Sequence, residues 1–225
     1  MVHYSRQSFR ASDKIPLKIY LFDVDNTIAP FRPTSELYKK TLLPQNRVKY
    51  LAIGYFMVVM LNLFWFIPFI VEFQRKLIMS MLSALSPSKL EEESEKIANT
   101  TTHLLNKKIR NIVDHKNENQ DKIYLLTHCP TIIAQKIAKK LDLDGEYSIE
   151  IKNYFQPGLK IENLNKSAIL HQLRKEGPNA QIYYFADDLI DLEPLLKADV
   201  GVLINASFST KLVAMLFFRR VQIWS

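Results

Sequence analysis

Short apolar runs that end abruptly in polar residues recur along the chain and predict buried β-strands. Three of them are KIYLF at residues 18–22, KIYLL at residues 122–126 and QIYYFA at residues 181–186. Runs at residues 199–205 and 221–224 predict a fourth core strand and a short final strand. Helical patterns separate several of these runs, so the chain is predicted to be an α/β protein.

Helices are predicted from their starting residues and their periodicity. Pro130 suits the first turn of a helix that runs to about Leu141, and Asn165 opens another. Residues 207–218 predict a further helix, and residues 88–113 have a charged, helical pattern. Two short strands, at residues 147–152 and 155–161, are predicted to form a small flap.

Two carboxylates follow the first apolar run with one residue between them. Strand alternation points Asp23 and Asp25 the same way at the carboxyl end of the strand. Ligands bind at that end of open α/β sheets. Two like charges this close repel each other unless a cation lies between them or one stays protonated. The pair therefore predicts a metal site, a catalytic role, or both.

Polar residues also follow the other two runs. The second run leads into Thr127 and then into a helix, and a phosphate at such a junction meets backbone N–H groups and a hydroxyl. Lys166 stands in the first turn of the helix that Asn165 opens. The third run ends in the acids Asp187 and Asp191.

In chain order these segments resemble the four motifs of the haloacid dehalogenase (HAD) superfamily, whose members are mostly magnesium-dependent phosphatases. Asp23 with its following residues resembles the first motif, Thr127 the second, Lys166 the third, and Asp187 with Asp191 the fourth. The resemblance implies a three-layer, Rossmann-like α/β core with a parallel sheet.

The core resemblance covers about residues 17–30 and 120–225, with two departures. Many relatives carry Gly or Ser where this chain has Ala186, and Ser or Gly where it has Asp188. Asp188 adds negative charge beside the predicted metal site, where it would either bind the metal or point away.

The resemblance also implies a mechanism. Asp23 would attack phosphorus and form an aspartyl-phosphate. Asp25 would protonate the leaving alcohol and then deprotonate the water that releases phosphate. Mg²⁺ would be held by Asp23, the backbone carbonyl of Asp25 and Asp187.

The remaining site residues would bind phosphate or support those that do. Thr127, a backbone N–H of His128 and Lys166 would neutralise the phosphate oxygens. Asp191 would hold Lys166 or a metal-bound water. A second lysine, Lys160, follows Pro-Gly-Leu in the flap, but Lys166 has the helix-start context and the better spacing to the fourth motif.

Cys129, the single cysteine, lies beside the predicted site. A Cys-x5-Arg phosphatase would need arginine where this chain has Gln135, so Cys129 is predicted to be a packed residue. One cysteine excludes an intrachain disulfide and indicates a reducing compartment. The five histidines show no metal-ligand spacing.

An uncharged run of 22 residues, 50–71, interrupts the core between the first two motifs. It is long enough to span a bilayer as a helix. A single crossing would separate Asp23 from Thr127, so the segment is predicted to dip into one leaflet, with breaks at Asn62 and Pro68. A buried cap helix in a soluble protein or a dimer is the alternative.

A helical insert at this position resembles the C1-cap group of the superfamily, which includes phosphoserine phosphatase. The apolar character of the insert is more similar to the phosphatidylglycerophosphatase C type, which implies a lipid phosphate such as phosphatidylglycerophosphate.

Composition and net charge indicate less about function than the motifs do. Hydrophobic residues make up 48% of the chain, which is ample for a core, and the net charge is +7. No basic helix with interleaved aromatics predicts nucleic-acid binding. An anionic phosphate substrate or an anionic membrane surface explains the charge as well.

The predicted organisation is a basic tail at residues 1–14, a catalytic core at 15–30 and 115–225, and a helical insert at 31–114. The predicted function is a magnesium-dependent phosphomonoesterase, membrane-associated with a cytoplasm-facing site and acting on a lipid phosphate. Two alternatives stay open. One is a cytoplasmic phosphatase of a small metabolite such as phosphoserine or thiamine phosphate, and the other is a non-catalytic, membrane-bound interaction module.

Overall fold

A computed structural model of the chain describes residues 18–64, 73, 77–79, 81–82, 85–116, 120–151, 164–218 and 220–224. Six strands form one sheet in the order β3-β2-β1-β4-β5-β6, and every pairing is parallel. The strands are β1 (Lys18–Phe22), β2 (Asp121–Pro130), β3 (Gly145–Ile149), β4 (Gln181–Ala186), β5 (Val200–Ile204) and β6 (Val221–Trp224). The predicted α/β fold with a parallel sheet is confirmed.

The central strand β1 is buried because both faces of the sheet are covered. Ile19 and Leu21 pack on one side, in a cluster that includes Tyr184 of β4. Phe22 belongs to the cluster on the other side, where its ring lies 4.7 Å from that of Phe185. This packing fixes the register of β1 against β4, and with it the position of the residues that follow both strands.

The helices with both ends in the described residues are α1 (Pro33–Thr41), α2 (Arg47–Phe64), α3 (Pro87–His103), α4 (Lys107–Asp114), α5 (Thr131–Lys140), α6 (Lys166–Glu176), α7 (Leu192–Lys197) and α8 (Phe208–Phe217). A short 3-10 helix, Leu189–Asp191, precedes α7. The predicted helices after Pro130, after Asn165 and near the end of the chain are all present.

The predicted helical pattern of residues 88–113 corresponds to two helices, and the second, α4, starts where the Asn106 side chain accepts a hydrogen bond from the N–H of Lys108. One sequence prediction differs from the observed elements. Residues 145–149 form the sheet-edge strand β3, which pairs with β2, rather than part of a flap. The predicted second flap strand, residues 155–161, lies outside the described residues.

The insert between β1 and β2 contacts the core through its helices. Leu37 of α1 and Ile97 of α3 are fully buried in the same cluster as Phe22. The Tyr38 hydroxyl donates to the carbonyl of Tyr50 at 2.7 Å, which ties α2 to α1.

The helix α2 covers all of the described part of the uncharged run, residues 50–64. It continues through Asn62 to Phe64, so the expected break at Asn62 is wrong; Pro68 lies outside the described residues. Within the residues that the structure describes, we find no helix with both the length and the apolar character needed to cross a bilayer.

Candidate active site

Residues at the carboxyl ends of strands β1, β2 and β4 meet at one cavity of about 200 Å³ at the carboxyl edge of the sheet. The adjacent strands β1 and β4 end side by side, since the N–H of Asp23 donates to the carbonyl of Phe185 at 2.9 Å. The cavity is lined by Asp23, Asp25, Arg32, Thr34, Ser35, Ile78, Met79, His128, Lys166, Asp187, Asp188, Ile190 and Asp191.

Lys166 is the centre of a buried polar network in this cavity. Its ammonium donates to Asp23 Oδ1 at 2.9 Å, to Asp191 Oδ2 at 2.6 Å and to the Tyr184 hydroxyl at 2.9 Å. The Tyr184 hydroxyl in turn donates to Asp191 Oδ2 at 2.8 Å. Burial alone would lower the pKa of Lys166, but Asp191 and Asp23 outweigh it and raise that pKa. The lysine therefore keeps its charge where a phosphate would bind.

Asp23 is almost completely buried, and this burial changes its acidity. Burial raises the pKa of Asp23 to about 7, Lys166 opposes that rise, and the neighbouring Asp191 and Asp25 add to it. Further positive charge in the cavity would lower the pKa of Asp23 and favour its anionic form.

Asp25 is held by the start of the insert. The backbone N–H and the hydroxyl of Thr34 both donate to Asp25 Oδ1, each at 3.3 Å. Burial raises the pKa of Asp25, whereas the two bonds from Thr34 lower it. The hydroxyl of Thr27, which is fully buried, donates to the Asp25 carbonyl at 3.4 Å. A carboxyl with a raised pKa, fixed at the cavity wall, suits a proton donor.

Asp187 is oriented by groups from the loop after β1. Asn26 Nδ2 donates to Asp187 Oδ2 at 3.1 Å, and the guanidinium of Arg32 lies 3.7 Å from the same oxygen. Burial raises the pKa of Asp187 to about 6, while Asn26 and Arg32 lower it and Asp188 raises it further. Asn26 has a left-handed backbone with φ 55°, and Asn205 Nδ2 donates to its carbonyl at 3.0 Å.

The remaining predicted residues lie at or beside the cavity. Asp188 lines it, and the Asp188 carbonyl accepts from the N–H of Asp191 at 3.3 Å. Thr127 is buried beside His128, and its hydroxyl oxygen accepts from the N–H of Cys129 at 3.0 Å. Burial raises the pKa of Cys129 well above its ordinary value, so it stays a thiol.

Every predicted site residue is thus close to one cavity. Lys160, the other lysine considered for the third motif, lies outside the described residues.

Sequence reasoning missed five residues of this site, namely Asn26, Arg32, Thr34, Tyr184 and Asn205. Tyr184 stands inside an apolar strand and its pattern indicates only core. The amide of Asn205 acts through a contact with Asn26, 179 residues away, and the hydroxyl of Thr34 acts on Asp25, which lies nine residues away and outside the helix of Thr34. Asn26 offers a weak signal, since asparagine directly after an acidic strand end is suited to a left-handed turn.

The oxygen-rich donor set fits a magnesium ion. In the described part of the chain, no group of three or more His, Cys, Asp and Glu side chains is arranged to hold a metal. The predicted set does not need three, because it combines Asp23 and Asp187 carboxylates with the Asp25 carbonyl and leaves positions for water and substrate, as Mg²⁺ sites usually do. Burial is the main cause of the raised pKa of both Asp23 and Asp187, and a cation bound between them would lower both pKa values.

Comparison with known proteins agrees with this geometry. A model of the haloacid dehalogenase-like hydrolase family matches residues 20–195. Comparison with curated protein sequences found no significant match.

Several solved structures have the same fold. A Bordetella pertussis Tohama I protein of unknown function aligns with a TM-score of 0.69 and 14% identity, over 93% of this chain and 99% of that one. A phospho-aspartyl intermediate analogue of phosphoserine phosphatase aligns with a TM-score of 0.59 and 19% identity, over 92% of each chain. A phosphoserine phosphohydrolase-like protein from Francisella tularensis subsp. tularensis SCHU S4 aligns with a TM-score of 0.59 and 16% identity, over 91% of this chain and 94% of that one.

Proposed function

This chain belongs to the haloacid dehalogenase-like hydrolase family, and we propose that it is a magnesium-dependent phosphomonoesterase with Asp23 as its nucleophile. The observation that carries the proposal is the contact of the buried Lys166 ammonium with Asp23 Oδ1 and Asp191 Oδ2 in the cavity that Asp25 and Asp187 also line. A phosphate bound there meets a nucleophile, a proton donor and a fixed cation together.

The first half of the reaction transfers the phosphoryl group to the enzyme. Lys166 binds Asp23 Oδ1, which leaves Oδ2 to attack phosphorus in line with the ester oxygen. As the ester P–O bond breaks, the Asp25 carboxyl gives its proton to the leaving alcohol. Lys166 stabilises charge on the non-bridging oxygens, and the backbone N–H groups near Thr127 and His128 are placed to assist.

The second half restores the enzyme. Asp25, now a carboxylate, takes a proton from water, which attacks phosphorus and releases inorganic phosphate from Asp23. Thr34 holds Asp25 in position for both transfers. Bound Mg²⁺, held by Asp23, Asp187 and the Asp25 carbonyl, would supply positive charge to the phosphate oxygens. Asp191 and Tyr184 keep Lys166 charged and in place.

A small phosphomonoester is the first substrate class. Solved phosphoserine phosphatases share this fold over about nine-tenths of both chains. The cavity of about 200 Å³ suits a phosphate with a compact alcohol.

A lipid phosphate processed at a membrane is the second candidate, and the outer surface of α2 favours it. Val48 is 80% exposed and Tyr55 75% exposed, and Leu51 and Phe56 are also exposed on this helix. Apolar and aromatic side chains in this position are typical of membrane-associated helices. A lipid phosphatase of this kind would be membrane-associated, with its active site facing the cytoplasm.

A phosphate-release screen tests the proposal. Purified protein would be offered soluble phosphomonoesters and detergent-dispersed lipid phosphomonoesters, with Mg²⁺ or with a chelator, and Asp23→Asn would serve as the matched control. We expect release that requires Mg²⁺ and is absent in Asp23→Asn. No release from any ester would instead support a non-catalytic interaction module.

A further inference from the structure

The last helix, α8, has large apolar side chains on its outer surface and small side chains on its inner surface. Thr210 and Ala214 are buried against the sheet. By contrast, Phe208 is 80% exposed and Leu216 64% exposed. A surface helix of a globular protein normally has the reverse arrangement, with large apolar residues inside and polar residues outside.

Four of the five exposed large apolar residues of α8 form one continuous stripe, and the fifth, Phe217, lies on another side of the helix. Leu212, Met215 and Leu216 follow Phe208 at spacings of four, seven and eight residues, which places all four on the same side of a helix. Ser207 caps the helix, since its hydroxyl accepts from the N–H of Thr210 at 3.2 Å. The stripe is therefore presented by a regular, capped helix.

The charged residues that flank the stripe in the sequence all have one sign. From Val200 to Ser225 the sequence contains Lys211, Arg219 and Arg220 and no Asp or Glu. Arg220 is exposed and Lys211 half-buried. We propose that α8 docks on the surface of an anionic lipid bilayer, lying in the interface with the stripe inserted and the cations at the head groups.

Two other occupants fit the charge less well. A second copy of the chain, joined by a two-fold contact, would bring the same cations from both copies together. The basic residues 1–14, with Arg6, Arg10 and Lys14 against a single Asp13, would repel the same cations.

Docking through α8 would bring the cavity near the lipid. The helix starts at the carboxyl edge of the sheet, where β5 ends, and Asn205 there donates to the carbonyl of Asn26 beside Asp187. Phe208, three residues later, is the most exposed residue of the stripe. The inference does not depend on catalysis and concerns a different helix from α2.

Vesicle co-sedimentation tests the inference without reference to activity. The full chain would be mixed with vesicles of phosphatidylcholine alone, or of phosphatidylcholine with an equal amount of phosphatidylglycerol. The α8 variant would carry Phe208→Gln and Leu216→Gln. The matched control would carry Leu104→Gln and Leu196→Gln, two exposed leucines elsewhere. A third variant, Tyr55→Gln with Phe56→Gln, tests whether α2 also contributes to vesicle binding. Circular dichroism and size-exclusion chromatography would verify folding and oligomeric state.

We expect the wild type and the control to bind the anionic vesicles, more weakly at high salt. The α8 variant should bind at least about tenfold more weakly. Binding by the α8 variant equal to wild type, or no binding by the wild type, would overturn the inference. A wild-type dimer that the α8 substitutions convert to a monomer would also overturn it, and would assign the stripe to a second copy.

Discussion

The ammonium of Lys166 lies 2.6 Å from Asp191 Oδ2, closer than its 2.9 Å distance from Asp23 Oδ1. Asp191 thus provides the tighter of the two ion pairs, although in the proposed mechanism it never touches the substrate. Its function would be to keep the lysine charged and aimed at the phosphate.

Asp191→Asn should therefore lower kcat by about ten- to a hundredfold with a smaller change in KM, because the lysine loses its main anchor. Tyr184→Phe removes one hydroxyl from the same network and should lower kcat less than Asp191→Asn does. Steady-state kinetics of both variants tests this ranking. Equal, near-wild-type rates would show that Asp191 has only a structural role at the start of its helix.

Asp23→Asn should lower kcat by about a thousandfold or more, because an amide does not attack phosphorus. Rapid acid quenching followed by mass spectrometry should detect phosphate on the peptide that contains Asp23 in the wild type, and not in the variant. The melting temperature of the variant serves as the folding control. Phosphate attached to another residue would disprove the assignment.

Lys166→Ala should abolish most activity, because both Asp23 and the phosphate would lose their cation. Lys160→Ala is the matched comparison, since the sequence offers both lysines as candidates. A larger loss in the Lys160 variant would transfer the phosphate-binding role to that residue. Initial rates at saturating Mg²⁺ are sufficient to rank the two.

Asp187→Ala should raise the Mg²⁺ concentration needed for half-maximal rate by about tenfold or more, because it removes a predicted metal ligand. Asp188→Ala, one residue along the same loop, is the matched control and should raise this Mg²⁺ concentration less. For both variants, activity and melting temperature would be measured as Mg²⁺ is titrated. The opposite order would assign the metal to Asp188.

Asn26 combines a left-handed backbone with a hydrogen bond to Asp187, and two substitutions separate these contributions. Asn26→Gly permits the backbone and removes the bond, whereas Asn26→Ala opposes the backbone as well, at a cost of about 1 kcal/mol. Chemical denaturation should find the alanine variant less stable than the glycine variant. The Mg²⁺ requirement should rise in both.

Gly201 on β5 has no room for a side chain. An added Cβ would lie 2.2 Å from the carbonyl oxygen of Leu195, which is backbone and cannot rotate away. Gly201→Ala should therefore lower the free energy of unfolding by about 2 kcal/mol or more. Gly54→Ala is the control, because its Cβ would only touch Tyr38 at 3.7 Å and alanine favours the helix. Equal stabilities would contradict the close approach of β5 and α7.

Much of the core could be predicted from the sequence because three of its strands are continuous apolar runs that lead into a polar site residue. Asp23, Thr127 and Asp187 stand at the ends of those runs, and Lys166 stands at the start of a helix that Asn165 caps. Strand β3 was harder, because GEYSI has no apolar run and it pairs only at the sheet edge.

The parts of the site that escaped prediction depend on contacts between different secondary-structure elements, which no local pattern indicates. Asn205 lies 179 residues from Asn26, and nothing near either position indicates that one donates to the other. Tyr184 has the same strand context as Tyr183, which is partly exposed, and only the folded sheet distinguishes the two. The insert was misjudged at Asn62 because one polar residue is not enough to interrupt a helix.

Thr34, which holds Asp25, belongs to the first helix of the insert and not to the sheet. Proton donation would thus be coupled to the position of α1, because a movement of this helix away from the cavity would take Thr34 from Asp25 and leave the acid without the two contacts that fix it at the cavity wall. An enzyme built in this way would cleave a phosphate ester most slowly while α1 is displaced.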